Sequence, residues 1–435
     1  MTSELVGLLG FAALFSFLAL GVPVAISLLV VGFVGTIVLN GFTAAAYSLS
    51  GQTFATVTVY ELSIIPLFIL MGNLASAAGL SRDLFDAAHK IIGHFRGGLA
   101  AATIVGCAGF AALSGSSIAS AITMGRVAWP EMKRHNYGPR LATGAIAAGG
   151  TLGILIPPST GFVIYAVLTE ESIGRLFMAG VLPGIMLTTL FLLAIHIVTR
   201  IWPEEGPRGP VFSMREKLQS LGRATGIATI IMITIGGIYT GFFTPVEAAG
   251  VGAFFALVML ILRKKCTYDT LFTVSAETLR TTGMAFFILI GANVFSPFVA
   301  LSHLPETIAG AVTGLGWGTY ATLALILAGY VILGMFIEGL SLLVITLPIV
   351  FPLITGMGFD PIWLGVIMVV VLEMGLISPP IGVNVFIVKS VVPDVKIETI
   401  FAGIMPFWIA MMVALVLLVI FPEIALLIPN AMFNN

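Results

Sequence analysis

The chain has 435 residues, 59% hydrophobic and 9% charged, with 19 basic against 20 acidic side chains. A charged share so far below the roughly 25% of soluble domains excludes a water-soluble globular protein, and the near-zero net charge excludes nucleic acid as a partner. The mean hydropathy of +1.13 indicates a membrane protein whose partners are lipid and other proteins.

In chain order, apolar runs near the roughly 20 residues that cross a hydrocarbon core start with 5–20 and 23–39. No Lys or Arg precedes Arg82, so the N-terminus lacks the basic region of a cleaved signal peptide and is expected to remain as a span. Segment 40–60 is mixed in polarity, 62–80 is a span carrying Asn73, and 81–97 is mixed again. The stretch 98–130 is apolar but interrupted at Leu113-Ser114-Gly115-Ser116-Ser117, which predicts a helical hairpin. Segment 139–170 is an apolar run broken at Pro157-Pro158, because proline lacks the amide N–H and clashes with the preceding turn. After the span 178–201 and a polar loop over 200–223 come spans at 224–241 and 244–262, a basic mixed segment at 264–277, and a span at 281–300 carrying Asn293. A second interrupted stretch, 318–357, turns near Glu338-Gly339-Leu340-Ser341; a second broken run, 361–392, is cut at Pro379-Pro380; 399–428 is the last span. Segments 40–60, 81–97 and 264–277 suit amphipathic helices lying along the membrane surface, with plain connecting loops as the other reading.

A shift of 222 residues superimposes the two halves, laying Gly153 on Gly375, Pro157-Pro158 on Pro379-Pro380 and Pro23 on Pro245. Asn73 meets Asn293 with a small gap, and Pro183 meets Pro406 at a shift of 223. So regular an offset marks a duplication. Basic residues crowd into 82–96 and 126–140, whereas the matching 302–317 and 352–361 have none; the reverse holds for 40–62 against 263–280. Because Lys and Arg concentrate in short cytoplasmic loops, equivalent loops fall on opposite sides, as in an inverted-topology repeat. That arrangement places 18 of the 19 basic residues in the cytoplasm, with Arg175 the exception, and both termini outside.

The expected fold is therefore an all-α polytopic membrane protein, an inverted-topology repeat with two re-entrant helical hairpins and two broken helices. A broken helix at membrane depth must face protein or a water-filled cavity, since unpaired backbone groups are too costly in hydrocarbon. The breaks free carbonyl oxygens beside Ser and Thr hydroxyls, and half-helix N-termini offer positive dipole ends; this suits a hard cation such as Na⁺ together with a carboxylate. Intramembrane carboxyls invite a functional reading: Glu338 and Glu373 could each hold a cation or a proton, or satisfy nearby backbone N–H groups, whereas Glu247 follows Pro245 at a helix start and reads as structural. Asn73 and Asn293 read either as hydrogen bonds between helices or as cargo contacts. Cys107 and Cys266 form no disulfide framework, and His89, His94, His135, His196 and His303 show no metal-ligand spacing.

With ALSGSSIASA at the first hairpin, GTLGILIPPS and EMGLISPPIG at the breaks, and the 222-residue duplication, the whole chain resembles the large membrane (M) subunit of tripartite ATP-independent periplasmic (TRAP) transporters. The resemblance implies an elevator transporter, with scaffold parts at 1–62, 176–280 (cytoplasmic loop about 202–222) and 399–435. The transport parts would be 63–175 and 281–398. It implies Na⁺ coupling with two or more ions in a bacterial inner membrane, a small four-helix membrane partner (Q-type) and a periplasmic substrate-binding protein (P-type) that delivers cargo. By the same resemblance one Na⁺ falls among Ser114, Gly115, Ser117, Gly153, Ile156 and Pro157, and a second among Glu338, Gly339, Gly375 and Ser378. Cargo would lie between the tips, among Ser116, Ser117, Asn73, Asn293, Ser159, Thr160, Ser341 and Asn384. Dicarboxylates, sialic acid, other sugar acids and keto acids are all carried within the family. ATP-driven transport is disfavoured because no Gly-Lys pair, and hence no P-loop, occurs. A protease is disfavoured by the absence of GxSxG and HExxH. Proton coupling through Glu338 or Glu373 is the main alternative, and a passive channel a weaker one.

Overall fold

The computed structural model describes residues 2–314 and 316–433, and among these the secondary structure is helical with no named strand. Among the described residues nine helical segments are long and apolar enough to cross a membrane, so the chain is a polytopic helical membrane protein. The first half runs α1 (Ser3–Ala19), α2 (Val24–Thr58), α3 (Ile64–Ala78), α4 (Leu80–Ile92), α5 (Gly98–Ser114), α6 (Ser117–Arg134), α7 (Pro139–Leu155), α8 (Thr160–Thr169) and α9 (Ile173–Ile201). The second half runs α10 (Met214–Tyr239), α11 (Pro245–Leu262), α12 (Tyr268–Leu301), α13 (Leu304–Gly314), α14 (Thr319–Gly334), α15 (Gly339–Gly356), α16 (Pro361–Leu376), α17 (Val383–Val391), α18 (Ile397–Ile420) and α19 (Glu423–Phe433). At the 222-residue shift α1 falls on α10, α5 and α6 on α14 and α15, and α7 on α16.

The two halves fold their mixed-polarity arms differently, for a local reason. In α2 the segment after residue 40 is a helix, as expected, and it is joined to the preceding span through Gly41, whose φ of 84° and ψ of 167° break the helical path. Only a residue without Cβ adopts that conformation cheaply. In the second half the equivalent place, by the 222-residue shift, is the Arg263–Thr267 turn, where Lys264 has φ 56°. The arm then runs unbroken into the following span as one 34-residue helix, α12. Two other boundaries differ from the sequence reading. α10 begins at Met214 inside the expected loop, because Ser213 and Glu216 form a capping box there. The last span divides at Phe421-Pro422, where proline's missing N–H ends α18 and starts α19.

The helices sort into two packed groups. In one, α2 packs along α12 and α3 along α11, with α1 and α10 beside them. In the other, α5, α6, α7 and α8 pack with α14, α15, α16 and α17. Helices α9, α18 and α19, which the sequence places with the outer scaffold, make their main contacts with α5, α7, α16 and one another. One of these contacts is glycine on glycine: a Cβ on Gly144 of α7 would sit 2.5 Å from the Gly403 carbonyl carbon of α18. The loop between the halves is held to this second group as well. Gly97 N–H donates to the Gly206 carbonyl (2.9 Å), Gly209 to Gly93 (3.1 Å) and Gly138 to Glu205 (3.0 Å). Between the groups, α3 meets α5, α12 meets α15, and α4 touches both α10 and α5.

Candidate site at the hairpin tips and helix breaks

Each break follows from its proline pair. An α-helical carbonyl at position i is normally satisfied by the N–H at i+4. Pro157 and Pro158 therefore leave the carbonyls of Gly153 and Ile154 without a helical donor, and Pro379 and Pro380 do the same at Gly375 and Leu376. The Gly375 carbonyl recovers one bond from Ser378 N–H at 3.0 Å.

Tip 1 fits against break 1 at backbone distance. Gly115 ends α5 with φ 57°, and a Cβ there would lie 2.7 Å from the Pro158 carbonyl oxygen. A Cβ on Gly153 would lie 2.6 Å from the Ser116 carbonyl carbon and 2.7 Å from Ser117 N. Thr160 ties the two together, donating its hydroxyl (2.8 Å) and its N–H (3.4 Å) to the Gly115 carbonyl. That carbonyl, expected among the ion ligands, thus has both lone pairs engaged. Ser116 caps α6 through Ala119 N–H at 3.3 Å, and Ser159 caps α8 through Phe162 N–H at 3.2 Å. Ser114 and Ser120 hydroxyls pair at 3.0 Å. Gly72 of α3 closes the tip from the other helix group, since its Cβ would lie 2.9 Å from Ser114 Cα.

Tip 2 fits against break 2 in the same manner. A Cβ on Gly375 would lie 2.6 Å from Gly334 Cα. Glu338 N-caps α15, accepting from both the N–H and the hydroxyl of Ser341 at 3.0 Å. It stands where Ser116 stands in tip 1, a charged cap in place of a neutral one. The Ser378 hydroxyl donates to the Met374 carbonyl (2.6 Å) and accepts from Trp408 Nε1 (2.8 Å). Gly339 packs against Leu372 and Leu376 of α16. Helix α17, alone among α6, α8, α15 and α17, has no side-chain cap. In its first turn Asn384 is fully buried, and neither amide atom has a hydrogen-bond partner among the described residues.

The structure thus gathers Ser114, Gly115, Ser116, Ser117, Gly153, Ile156, Pro157, Ser159 and Thr160 at one tip and break. Glu338, Gly339, Ser341, Gly375 and Ser378 gather at the other. Asn73 and Asn293 point elsewhere. Asn73 Nδ2 donates to Thr278 Oγ1 (3.0 Å) in the second arm, and Asn293 Nδ2 to Thr56 Oγ1 (2.9 Å) in the first. The 222-residue shift carries Thr56 onto Thr278, and both threonine hydroxyls send their own proton to the carbonyl four residues back, at 2.7 Å. Asn73 and Asn293 therefore make the hydrogen bonds between helices that were one of their two readings. Glu247 closes a capping box with Thr244 at 2.8 and 2.9 Å, the structural role expected of it.

Glu373, a candidate for a cation or a proton from its sequence position, stands beside these residues. It lies two positions before Gly375, 2% exposed, within hydrogen-bonding reach of the Ser117 side chain of tip 1 and within the field of the Glu338 carboxylate. A carboxyl inside an apolar helix was the signal; that it faces the opposite half was not readable from one strand of sequence. A cavity of about 620 Å³ between residues 59–61, 166–174 and 244–246 holds none of the predicted site residues.

Comparison with known proteins agrees with this architecture. Residues 11–424 match the family described as Tripartite ATP-independent periplasmic transporter, DctM component. The chain is 38% identical over 384 residues to the C4-dicarboxylate TRAP transporter large permease protein DctM of Pseudomonas aeruginosa, covering 88% of this chain and 89% of that one. It is 32% identical to the sialic acid TRAP transporter large permease protein SiaM of Vibrio cholerae, covering 94% and 95%. Among solved structures it is similar in fold to the YdaH transporter of Alcanivorax borkumensis, with a TM-score of 0.61 at 15% identity, covering 88% of this chain and 89% of that one.

Proposed function

The chain belongs to the DctM component family of tripartite ATP-independent periplasmic transporters, whose members are non-enzymatic permeases, and from that premise we propose that it is a secondary importer of a small organic acid anion driven by Na⁺. The carboxylates named for its relatives, C4-dicarboxylate and sialic acid, set the cargo class. It works in the bacterial inner membrane, termini outside, with a small four-helix membrane subunit and a periplasmic binding protein that hands over cargo.

The observation that carries this reading is the duplicated seating of a polar hairpin tip on a proline-broken helix. Each seating brings carbonyls that have lost their helical donors beside hydroxyls in a buried site, which suits a weakly held hard cation. One Na⁺ is held by Ser114, Ser117 and the carbonyls from Gly153 to Pro157, and a second by Glu338, Gly339 and the segment from Gly375 to Ser378. Cargo lies between the tips, its carboxylate toward the uncapped N-terminus of α17 and the unpartnered Asn384 amide. Inverted repeats with re-entrant hairpins support an elevator. Helices α5–α9 and α14–α19 move as a unit past α1–α3 and α10–α12, and this grouping follows the packing of α9 and α18 rather than the sequence boundaries.

The test is uptake of labelled succinate or sialic acid by the chain reconstituted with its two partners, under an inward Na⁺ gradient at constant pH. Uptake that rises with the gradient is expected. Uptake indifferent to Na⁺ but driven by an inward proton gradient would overturn the sodium reading in favour of proton coupling, which the buried Glu373 favours.

A further inference from the structure

The 222-residue shift equates Glu373 with Thr151, and the two positions are chemically unequal. The Thr151 hydroxyl is satisfied within its own helix, donating to the Ala148 carbonyl at 2.6 Å. Glu373 has no such outlet: its Oε2 has no hydrogen-bond partner, and none of the ion pairs among the described residues includes it. Its neighbours are Ser117, itself 1% exposed at the first residue of α6, and the carboxylate of Glu338. A buried carboxylate facing a hydroxyl and a second carboxylate, with no basic side chain to offset it, is strongly unfavourable unless it takes up a proton or a cation completes the group. Ser117 also sits on the backbone of Gly153, so this oxygen cluster touches break 1 although Glu373 belongs to break 2.

We propose that Glu373 Oε2 and Ser117 Oγ are ligands of one monovalent cation that bridges the two halves, so that the ion at tip 1 is held in part by the helix that carries break 2. The inference rests on the Na⁺ reading above and adds a ligand from the opposite repeat. Its consequence is cooperativity. The tip-1 ion binds well only when Glu373 of α16 reaches Ser117, and the same end of α16 sets the position of Gly375 and Ser378 for the second ion. The pairing has no counterpart at the related position, because Thr151 carries no charge and Gly339, the mate of Ser117, has no side chain. The two ion sites are thereby unequal in strength and filled in order.

The experiment is Na⁺ titration of the thermal stability of the purified chain with its small membrane partner, in a constant-ionic-strength K⁺ background at fixed pH. Wild type, Glu373→Gln, Glu373→Asp and Ser117→Ala are compared. Glu373→Gln should raise the Na⁺ concentration for half-maximal stabilisation at least tenfold and bring the Hill coefficient toward one. Ser117→Ala should raise it severalfold, and the double variant no further than Glu373→Gln alone. If Glu373→Gln does not fold, Glu373→Asp and Ser117→Ala carry the test through the same readout. Variants that titrate like wild type overturn the Glu373 ligand and leave the sodium reading standing. A wild type that shows no Na⁺ stabilisation overturns both.

Discussion

Replacing Gly153 by alanine tests the seating of tip 1 on break 1 most directly. The added Cβ would lie 2.6 Å from the Ser116 carbonyl carbon and 2.7 Å from Ser117 N, against the roughly 3.5–4.0 Å of an unstrained contact. Both neighbours are backbone, so no side chain can rotate away and α7 must separate from the tip by close to an ångström. Overpacking of this kind typically costs about 1–3 kcal/mol. The control is Gly329→Ala in α14, where a Cβ meets nothing within 4 Å and the gain in helix propensity should stabilise by about 0.5–1 kcal/mol. Thermal unfolding of the purified chain with and without Na⁺, alongside gradient-driven uptake, measures both. Gly153→Ala should melt earlier than wild type and lose most of its Na⁺ stabilisation, because Ser114 and Ser117 no longer face the freed carbonyls. If it melts and responds to Na⁺ as Gly329→Ala does, the tip and break do not form one site.

The reciprocal Asn–Thr bonds predict two matched double-mutant cycles, Asn73 with Thr278 and Asn293 with Thr56. Each should give a coupling energy of about 0.6 kcal/mol, with 1.7 kcal/mol as a rough ceiling for hydrogen bonds between membrane helices, read from unfolding midpoints in detergent. Glu338→Ser keeps a cap at the start of α15 and should fold as wild type does, whereas Glu338→Ala should lose about 0.5–2 kcal/mol; both should need higher Na⁺ for uptake, so a serine variant with wild-type Na⁺ dependence would assign Glu338 to capping alone. His89, on the polar helix α4, is held below its ordinary value of 6.5 by burial and by the neighbouring His135. Between its depressed folded value and about 6.5 the unfolded chain binds a proton that the folded chain refuses, so stability should fall as pH drops below about 6.5. His89→Gln should flatten that slope in melting curves taken from pH 7.5 to 5.

Much of the fold was legible because the membrane allows few solutions. Lipid forces spans into long apolar helices, and proline pairs break them wherever they occur, so the hairpin tip at Gly115-Ser116 and the breaks after Leu155 and Leu376 fall where the residues place them. Arm geometry was less legible. Both arms leave the preceding span at matching positions, Gly41 and the Arg263–Thr267 turn, but the first arm breaks again at Val59 before α3 while its counterpart runs straight on through α12. The packing of helices α9 and α18 was less legible for a different reason. Their apolar sequences suit lipid and protein equally, and only close backbone contacts such as Gly144 on Gly403 for α18 and Gly180 on Leu155 for α9 show which neighbours they take.

Composition, the 222-residue repeat and the proline pairs determined by themselves that this is a duplicated helical membrane protein with four polar interruptions in its interior. Those features are local, and the physics that reads them is local: hydropathy, backbone donors, charge on short loops. Tertiary structure decided which atoms at the interruptions remain available. It spent the Gly115 carbonyl on Thr160, and Asn73 and Asn293 on the opposite arms. It left Asn384 and Glu373 buried with polar atoms unpaired. Whether a hydroxyl, amide or carboxyl is satisfied depends on partners tens to hundreds of residues away, and no single position in the sequence carries that information.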